Sequence, residues 1–275
     1  GLYPVEHGVQ LPRTALPPSA PTLQELLGAQ GYDTFAATSH VYLGDRWGFD
    51  RGWRTFDGSL GPDSAHRPVA RDVVGRGLRW LERRDESDRP FFIWLHIFDP
   101  HWDYSPPPPF DTMYDPDDMP LPAWDEAEVE GWPEAYRRKY YALGEGHEAV
   151  GLCDFADADW QRIKAYYYGM ISQIDANIGR LLDVLRASGQ LENTIVLFTS
   201  DHGDCLTDHG HSQKWTMYDL VTRVPLIVSS PGRFPGGRRI DALCQQMDLG
   251  PTILELAGIE VPEHGRAGAH GNTGG

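Results

Sequence analysis

The stretch FTSDHGDCLTDHGHSQK, Phe198 to Lys214, places Asp201, His202, Asp204, Asp208, His209, His211 and Lys214 directly behind the apolar run TIVLF. A carboxylate followed by an imidazole, as in Asp201-His202, offers one hard oxygen and one nitrogen. Those donors suit Mg2+, Ca2+, Mn2+ or Zn2+ once further carboxylates join them. Two ligands make no site alone, and a turn of Asp, His and Gly is also common because these residues tolerate turn geometry. Residue types therefore leave metal binding open. A second loaded stretch, the end of PFFIWLHIF with the DPHWDYSPP that follows it, brings His96, Asp99 and His101.

Both stretches need a rigid element behind them. PFFIWLHIF is nearly continuous in aromatic and β-branched residues, which predicts a strand buried on both faces. NTIVLFTS and RVPLIVSSP predict two more strands flanking the Asp-His turn. Helices are expected at TLQELLGA, where Thr22 is followed three residues later by Glu25, and over VARDVVGRGLRWLERRD from Val69. The clearest helix runs from Asp159 to Ser188, with Ile163, Tyr167, Ile171, Ile174, Ile178, Leu181 and Leu185 stepping along one face. DLGPTILELAGI, with proline in its first turn and glycine after it, predicts the last. Strands alternating with helices indicate an α/β fold with a mostly parallel sheet covered on both faces, in which ligands gather beyond the carboxyl ends of the strands.

A chain of 275 residues, 40% of them hydrophobic, is long enough for one large α/β domain. A net charge of −16 spread along the chain argues against nucleic acid or an anionic membrane surface as the main partner, so an anionic substrate needs a local cationic pocket. No apolar run reaches the ~18 residues of a membrane-spanning helix, and no targeting segment is visible. Cys153, Cys205 and Cys244 show no metal-type spacing and read as packing thiols. Residues from about 105 to 157 are irregular. The G-x-G-x-x-A of Gly144 to Ala149 follows no strand and reads as a loop, and His147-Glu148 lacks the second histidine of a zinc protease. Tyr166 to Tyr168 read as packing.

Taken together, FTSDHGD, then DHG, Lys214, MYD and RVPLIVSSPG resemble, in the same order, the strand, metal turn, active-site lysine and next strand of the sulfatases of the alkaline phosphatase superfamily. DLGPTILELAGIEVP resembles the family's next segment, PFFIWLHIFDPHWDYSPP the strand ending in a substrate-binding histidine, and TLQELLGAQGYDTFAATSHVYLGDRWGFDRGWRTFD the stretch after the catalytic motif. The resemblance implies an alkaline-phosphatase-like three-layer α/β/α sandwich with a mostly parallel central sheet, truncated at both ends. Residues 1–262 are expected to belong to the catalytic domain, with an irregular insertion at about 105–157, and 263–275 to form a weakly structured tail. It further implies Asp201 and His202 as metal ligands, Lys214 as the cation that holds the anionic group and His101 as a substrate-facing imidazole. His209 and His211 are supporting candidates.

In this family a Gly-Lys-Trp-His stretch often precedes Leu-Gly. Here SHVYLG puts His40 and Tyr42 at the lysine and histidine positions, as substrate-binding candidates, a departure similar to the superfamily's phosphonate and phosphate ester hydrolases. The Cys-x-Pro-x-Arg or Ser-x-Pro-x-Arg motif that yields formylglycine is expected upstream of residue 1, since GLYPVEHGV resembles the family's segment on the carboxyl side of that motif. The literal match at Ser229 to Arg233 is set aside, because it falls on the wrong side of Lys214 in chain order. The implied cofactors are one divalent metal ion, calcium ahead of magnesium or manganese, and that upstream formylglycine. The implied substrate is a small-molecule or saccharide sulfate ester. The alternatives are a phosphodiesterase or phosphonate monoester hydrolase on the same scaffold, or a fragment without catalysis.

Overall fold

A computed structural model of the chain describes residues 9, 14–58, 69–84, 89–122, 124–137, 139–140, 152–153 and 155–262. The Gly144–Ala149 pattern, His147-Glu148 and the tail 263–275 lie outside them. The main helices are α1 (Leu23–Ala29), α2 (Ala70–Arg83), α3 (Asp157–Ala187) and α4 (Leu249–Leu256), and the strands are β1 (Asp33–Thr38), β2 (Thr55–Asp57), β3 (Phe91–His96), β4 (Lys139–Tyr140), β5 (Leu152–Cys153), β6 (Val196–Thr199) and β7 (Leu226–Ser229). The chain divides into two compact units, one of residues 1–98 with 237–275 and one of residues 99–236.

In the first unit β1 lies between β2 and β3, and both pairings are parallel. Alternation along the strands separates two faces. Phe35 and Ala37 of β1, with Ile93 and Leu95 of β3, pack on Val73 of α2, while Phe92 of β3 packs with Leu27 of α1 and Leu254 of α4. Helices thus cover both faces of a parallel sheet, the three-layer arrangement expected. Val73 is fully buried, a burial that contributes about 1.5–3 kcal/mol. The start of α1 is fixed as the sequence predicts: Thr22 accepts from the Glu25 amide, and the Glu25 carboxylate accepts from the Thr22 amide at 2.9 Å. β3 departs from expectation, since all six of its residues are half-buried. Among the described residues its one ladder partner is β1.

The second unit is organised along α3, which at ~1.5 Å per residue is about 46 Å long. Asp157 and Asp159 in its first turn and Arg186 in its last complement the helix dipole. The irregular segment lies against it. Gly169 meets the Phe110 carbonyl and Pro106, Gln161 Nε2 donates to Met119 O at 3.0 Å, and the Tyr114 and Ser172 hydroxyls are 2.8 Å apart. Its buried face differs from the predicted apolar stripe. Ile171 is exposed, whereas Lys164, Gln173 and Asn177 are buried. For two of these the reason is a specific bond, Lys164 to Asp208 and Asn177 to the Gln173 carbonyl.

The second unit holds two strand pairs: β4 and β5 are parallel, whereas β6 and β7 are antiparallel, with Val196 opposite Ser229 and Thr199 opposite Leu226. A parallel pair needs a crossover that returns the chain over the sheet. The connection from β6 to β7 instead folds into turns at the strand end and holds two short pieces of helix, a 3-10 turn at Asp208–Gly210 and the four-residue helix Asp219–Thr222.

Two glycines of α3 make opposite demands. A β-carbon at Gly169 would collide with the Phe110 carbonyl, whereas one at Gly179 meets nothing within 4 Å. In the full-length protein, Gly169→Ala is expected to lower stability by about 1–3 kcal/mol, and Gly179→Ala to raise it by about 0.5–1 kcal/mol. Urea unfolding midpoints measure both. Equal shifts would contradict the close packing at Gly169.

Candidate functional site

The turn after β6 is built from its own short side chains. The Asp201 carboxylate accepts from the His202 amide at 2.9 Å, and Ser200 Oγ donates to the His202 carbonyl at 2.7 Å. Gly203 is held by its amide to the Val221 carbonyl at 2.8 Å, so close that any β-carbon there would run into the Leu220 carbonyl. His202 Nδ1 lies 2.7 Å from the Gly203 carbonyl oxygen. A carbonyl can only accept, so Nδ1 carries the hydrogen and Nε2 presents its lone pair. That lone pair lies 3.5 Å from Asp201 Oδ2. One carboxylate oxygen and one imidazole nitrogen at this spacing fit two positions on a divalent ion. Among the described residues no group of three or more His, Cys, Asp or Glu could complete it.

Beside this turn the fold joins two residues far apart in sequence. Lys214 Nζ lies 2.8 Å from His101 Nε2, and His101 Nδ1 lies 2.8 Å from the Trp102 carbonyl oxygen. The ring is therefore the Nδ1–H tautomer, accepting from the lysine at Nε2. The His101 and His202 rings meet edge to face with centroids 6.4 Å apart. Burial holds the Lys214 ammonium below the ordinary lysine value, and the Asp201 and Asp204 carboxylates push it back up. A half-buried cation, a neutral imidazole and a carboxylate–imidazole turn are thus assembled within one unit.

The loop between Asp204 and Lys214 is strained. Leu206, Thr207, His209 and Gln213 all have positive φ, and among the described residues every non-glycine with that backbone falls here. Each such residue costs of order 1 kcal/mol or more and persists only where its surroundings hold it. His209 stacks on Tyr218 with ring centroids 3.8 Å apart, and its Nδ1 lies 2.6 Å from Glu128 Oε2. His211 is buried, with Nδ1 2.8 Å from the His209 carbonyl and Nε2 3.2 Å from the Tyr136 carbonyl. Lys164 reaches Asp208 at 3.0 Å from the buried face of α3. His211 hence has both ring nitrogens, and His209 its Nδ1, engaged by the protein in this structure.

His40 and Tyr42 belong to the first unit. His40 Nδ1 accepts from the Tyr42 amide at 3.2 Å and caps the 3-10 turn Val41–Leu43, with its ring 4.8 Å from that of Phe98. Tyr42 is exposed. Cys205 is buried and Cys244 exposed. Ser230, of the Ser229 to Arg233 match, is buried in the turn after β7, where its carbonyl accepts from the Arg233 and Phe234 amides.

Sequence reading passed over three partners that the structure reveals, Tyr104, Glu128 and Lys164, and took Asp204 only as one more ligand-type group. Only Lys164 left a usable trace, as a charge on a helix face that proves buried.

The family model described as Sulfatase matches residues 1–259. The chain belongs to the sulfatase family. An arylsulfatase of Clostridium perfringens is 35% identical over 195 residues, which covers 70% of this chain and 38% of the relative. An N-acetylglucosamine-6-O-sulfatase of Bacteroides thetaiotaomicron is 26% identical over 309 residues, covering 88% of this chain and 54% of the relative. The chain therefore spans well under two thirds of these curated sulfatases. Among solved structures, a protein in complex with its substrate D-glucosamine-2-N,6-O-disulfate superposes with a TM-score of 0.76 at 23% identity, covering 95% of this chain and 65% of that one. A phosphonate monoester hydrolase from Silicibacter pomeroyi reaches a TM-score of 0.72 at 22% identity, covering 98% and 66%. Both likenesses concern the fold, that of the alkaline phosphatase superfamily.

One hydrogen bond of this loop, His209 to Glu128, gives a pH test. The hydrogen bond from His209 is the main cause that lowers the Glu128 carboxyl from its ordinary value of 4.5. A lowered carboxyl stabilises the fold fully above its unfolded value, and that contribution is lost as pH falls through the folded one. Glu128→Gln should accordingly lower the thermal midpoint at pH 7, and the gap to wild type should close as pH falls below 4.5. A gap unchanged down to pH 3 would remove the Glu128 carboxylate from the loop's support.

Proposed function

We propose that the full-length protein is a sulfuric ester hydrolase acting on small-molecule or saccharide sulfate esters, with residues 1–262 forming part of its catalytic domain. The observation that carries this reading is the 2.8 Å contact of Lys214 Nζ with His101 Nε2 beside the Asp201-His202 turn. The relatives named for arylsulfate and N-acetylglucosamine 6-sulfate chemistry, and the structural neighbour bound to a glucosamine disulfate, support a sulfated sugar or aryl alcohol as the substrate class.

Asp201 and His202 would hold one divalent ion, calcium ahead of magnesium or manganese, with further ligands from outside the described residues. Attack on sulfur is chemistry that a formylglycine and such an ion supply when bound, the one as nucleophile and the other by lowering its pKa. The residues of this chain act on the ester itself. The Lys214 ammonium offsets charge on the sulfuryl oxygens, and burial strengthens that attraction by excluding water. His101 Nε2 shares a hydrogen with Lys214 and lies on the route by which a departing alkoxide gains its proton. Nδ1 stays tied to the Trp102 carbonyl and keeps the ring in orientation. His209 and His211 support the loop that presents Lys214, and His40 and Tyr42 are proposed to meet the rest of the substrate.

A phosphonate monoester or phosphate diester hydrolase is the second reading, favoured by His40 and Tyr42 in SHVYLG and compatible with the shared fold. A non-catalytic role is the third. In the full-length protein, Lys214→Ala should reduce kcat on a sulfate ester by about 10²–10³ with the fold retained. An unchanged kcat would remove Lys214 from the site. Elemental analysis should find bound divalent metal lost in Asp201→Ala, and full occupancy there would contradict the ligand assignment. Side-by-side kinetics on an aryl sulfate and a phosphate diester separate the first two readings, and inactivity on both supports the third.

A further inference from the structure

The Asp204 carboxylate gathers three donors from three places in the second unit. Oδ1 accepts from the Leu206 amide at 2.8 Å and from the Gln213 amide at 2.9 Å, and Oδ2 accepts from the Tyr104 hydroxyl at 2.8 Å. Gln213 is the residue before Lys214, and Tyr104 stands three residues after His101. The two segments that carry the proposed reactive pair are therefore tied to the same carboxyl group. The Cys205 amide adds a bond to the Gln213 carbonyl at 2.9 Å, which closes the neck of the strained loop next to Asp204. Lys214 leaves the loop immediately beyond that neck.

We infer that Asp204 is a positioning residue that sets the separation of His101 and Lys214 by holding both of their backbone segments on one carboxylate. The inference rests on the reading that these two residues act on the ester. It goes beyond that reading in assigning the geometry to a group that touches neither substrate nor reacting atom.

The chemistry of the three bonds says why a carboxylate is used. Two amides and a hydroxyl all donate, so the hub must accept at three sites, which an ionised carboxylate does with lone pairs to spare. An asparagine keeps the oxygen that takes the Leu206 and Gln213 amides, and its NH2 can donate to the Tyr104 oxygen once that hydroxyl turns. Alanine takes nothing. Leu206 and Gln213 both have positive φ, so their amides are presented by backbone that relaxes when the acceptor is removed. Displacement of the Lys214 or His101 segment by ~1 Å is enough to cost about 10² in rate.

The test is steady-state kinetics of the full-length protein on 4-nitrophenyl sulfate, with kcat and KM read separately. Asp204→Ala is expected to lower kcat about 10²-fold with KM changed less than about threefold. Asp204→Asn should recover at least about tenfold of that loss, and Tyr104→Phe, which frees only the His101 side, should cost about tenfold. Because both variants break one shared bond, adding Tyr104→Phe to Asp204→Ala should cost nothing more. Should Asp204→Ala fail to fold, Asp204→Asn and Tyr104→Phe still decide: wild-type kcat in Tyr104→Phe overturns the inference. Multiplying losses in the double variant overturn it too, as does a folded Asp204→Ala with unchanged kcat. Lys214→Ala and His101→Ala, run in parallel, keep the two ideas apart. If both retain wild-type kcat, the reading of the pair has failed; if both lose it while the Asp204 and Tyr104 variants do not, only the positioning role has.

Discussion

A single hydrogen bond between an ammonium and an imidazole, Lys214 Nζ to His101 Nε2, is the contact on which the candidate site of the second unit depends. It is demanding because its members want different surroundings. The lysine loses hydration as it is buried, which favours its neutral form, while its proposed use against an anionic ester requires the charge. Asp201 and Asp204 resolve that conflict by restoring negative potential beside the cation. They do so beside the proposed binding place of an anion, and their own charge is engaged by protein donors. Asp204 spends its lone pairs on three protein donors, and Asp201 shares its carboxylate with the turn that would hold a metal.

The same division of labour recurs outward from the pair. His209 and His211 have the side chains of ligands or proton carriers, yet their ring nitrogens meet Glu128 and backbone carbonyls. Lys164 has the side chain of an anion binder and lies against Asp208 from the buried face of α3. These bonds hold a loop whose backbone adopts unfavourable conformations. Removing any one releases a strained segment rather than a free side chain, so their effects are coupled through the loop.

Much of the fold was legible in the sequence because it depends on local signals. The capping box at Thr22 and Glu25, the long α3 and the proline-then-glycine frame of α4 are short-range patterns, and the structure places them as read. What could not be read is long-range. The antiparallel course of β7 depends on how the preceding connection folds, and the buried face of α3 depends on which partners, such as Asp208, reach it. In the candidate site, Asp201, His202 and Lys214 stood out as one motif, and His101 as the end of a strand. Their meeting joins segments 113 residues apart, beyond the reach of any spacing rule. Asp204 was hidden for the opposite reason: next to Asp-His-Gly it looks like one more ligand, and only its three donors reveal a brace.

Thr207 has φ of 77°, and a β-branched side chain gains nothing locally from that backbone. Selection for heat resistance would accordingly enrich glycine or asparagine at 206, 207, 209 and 213, where left-handed backbone is cheap for them. Such replacements would make the segment comfortable in many shapes rather than one. Under the proposed function, the same four backbone positions would set thermal tolerance against turnover.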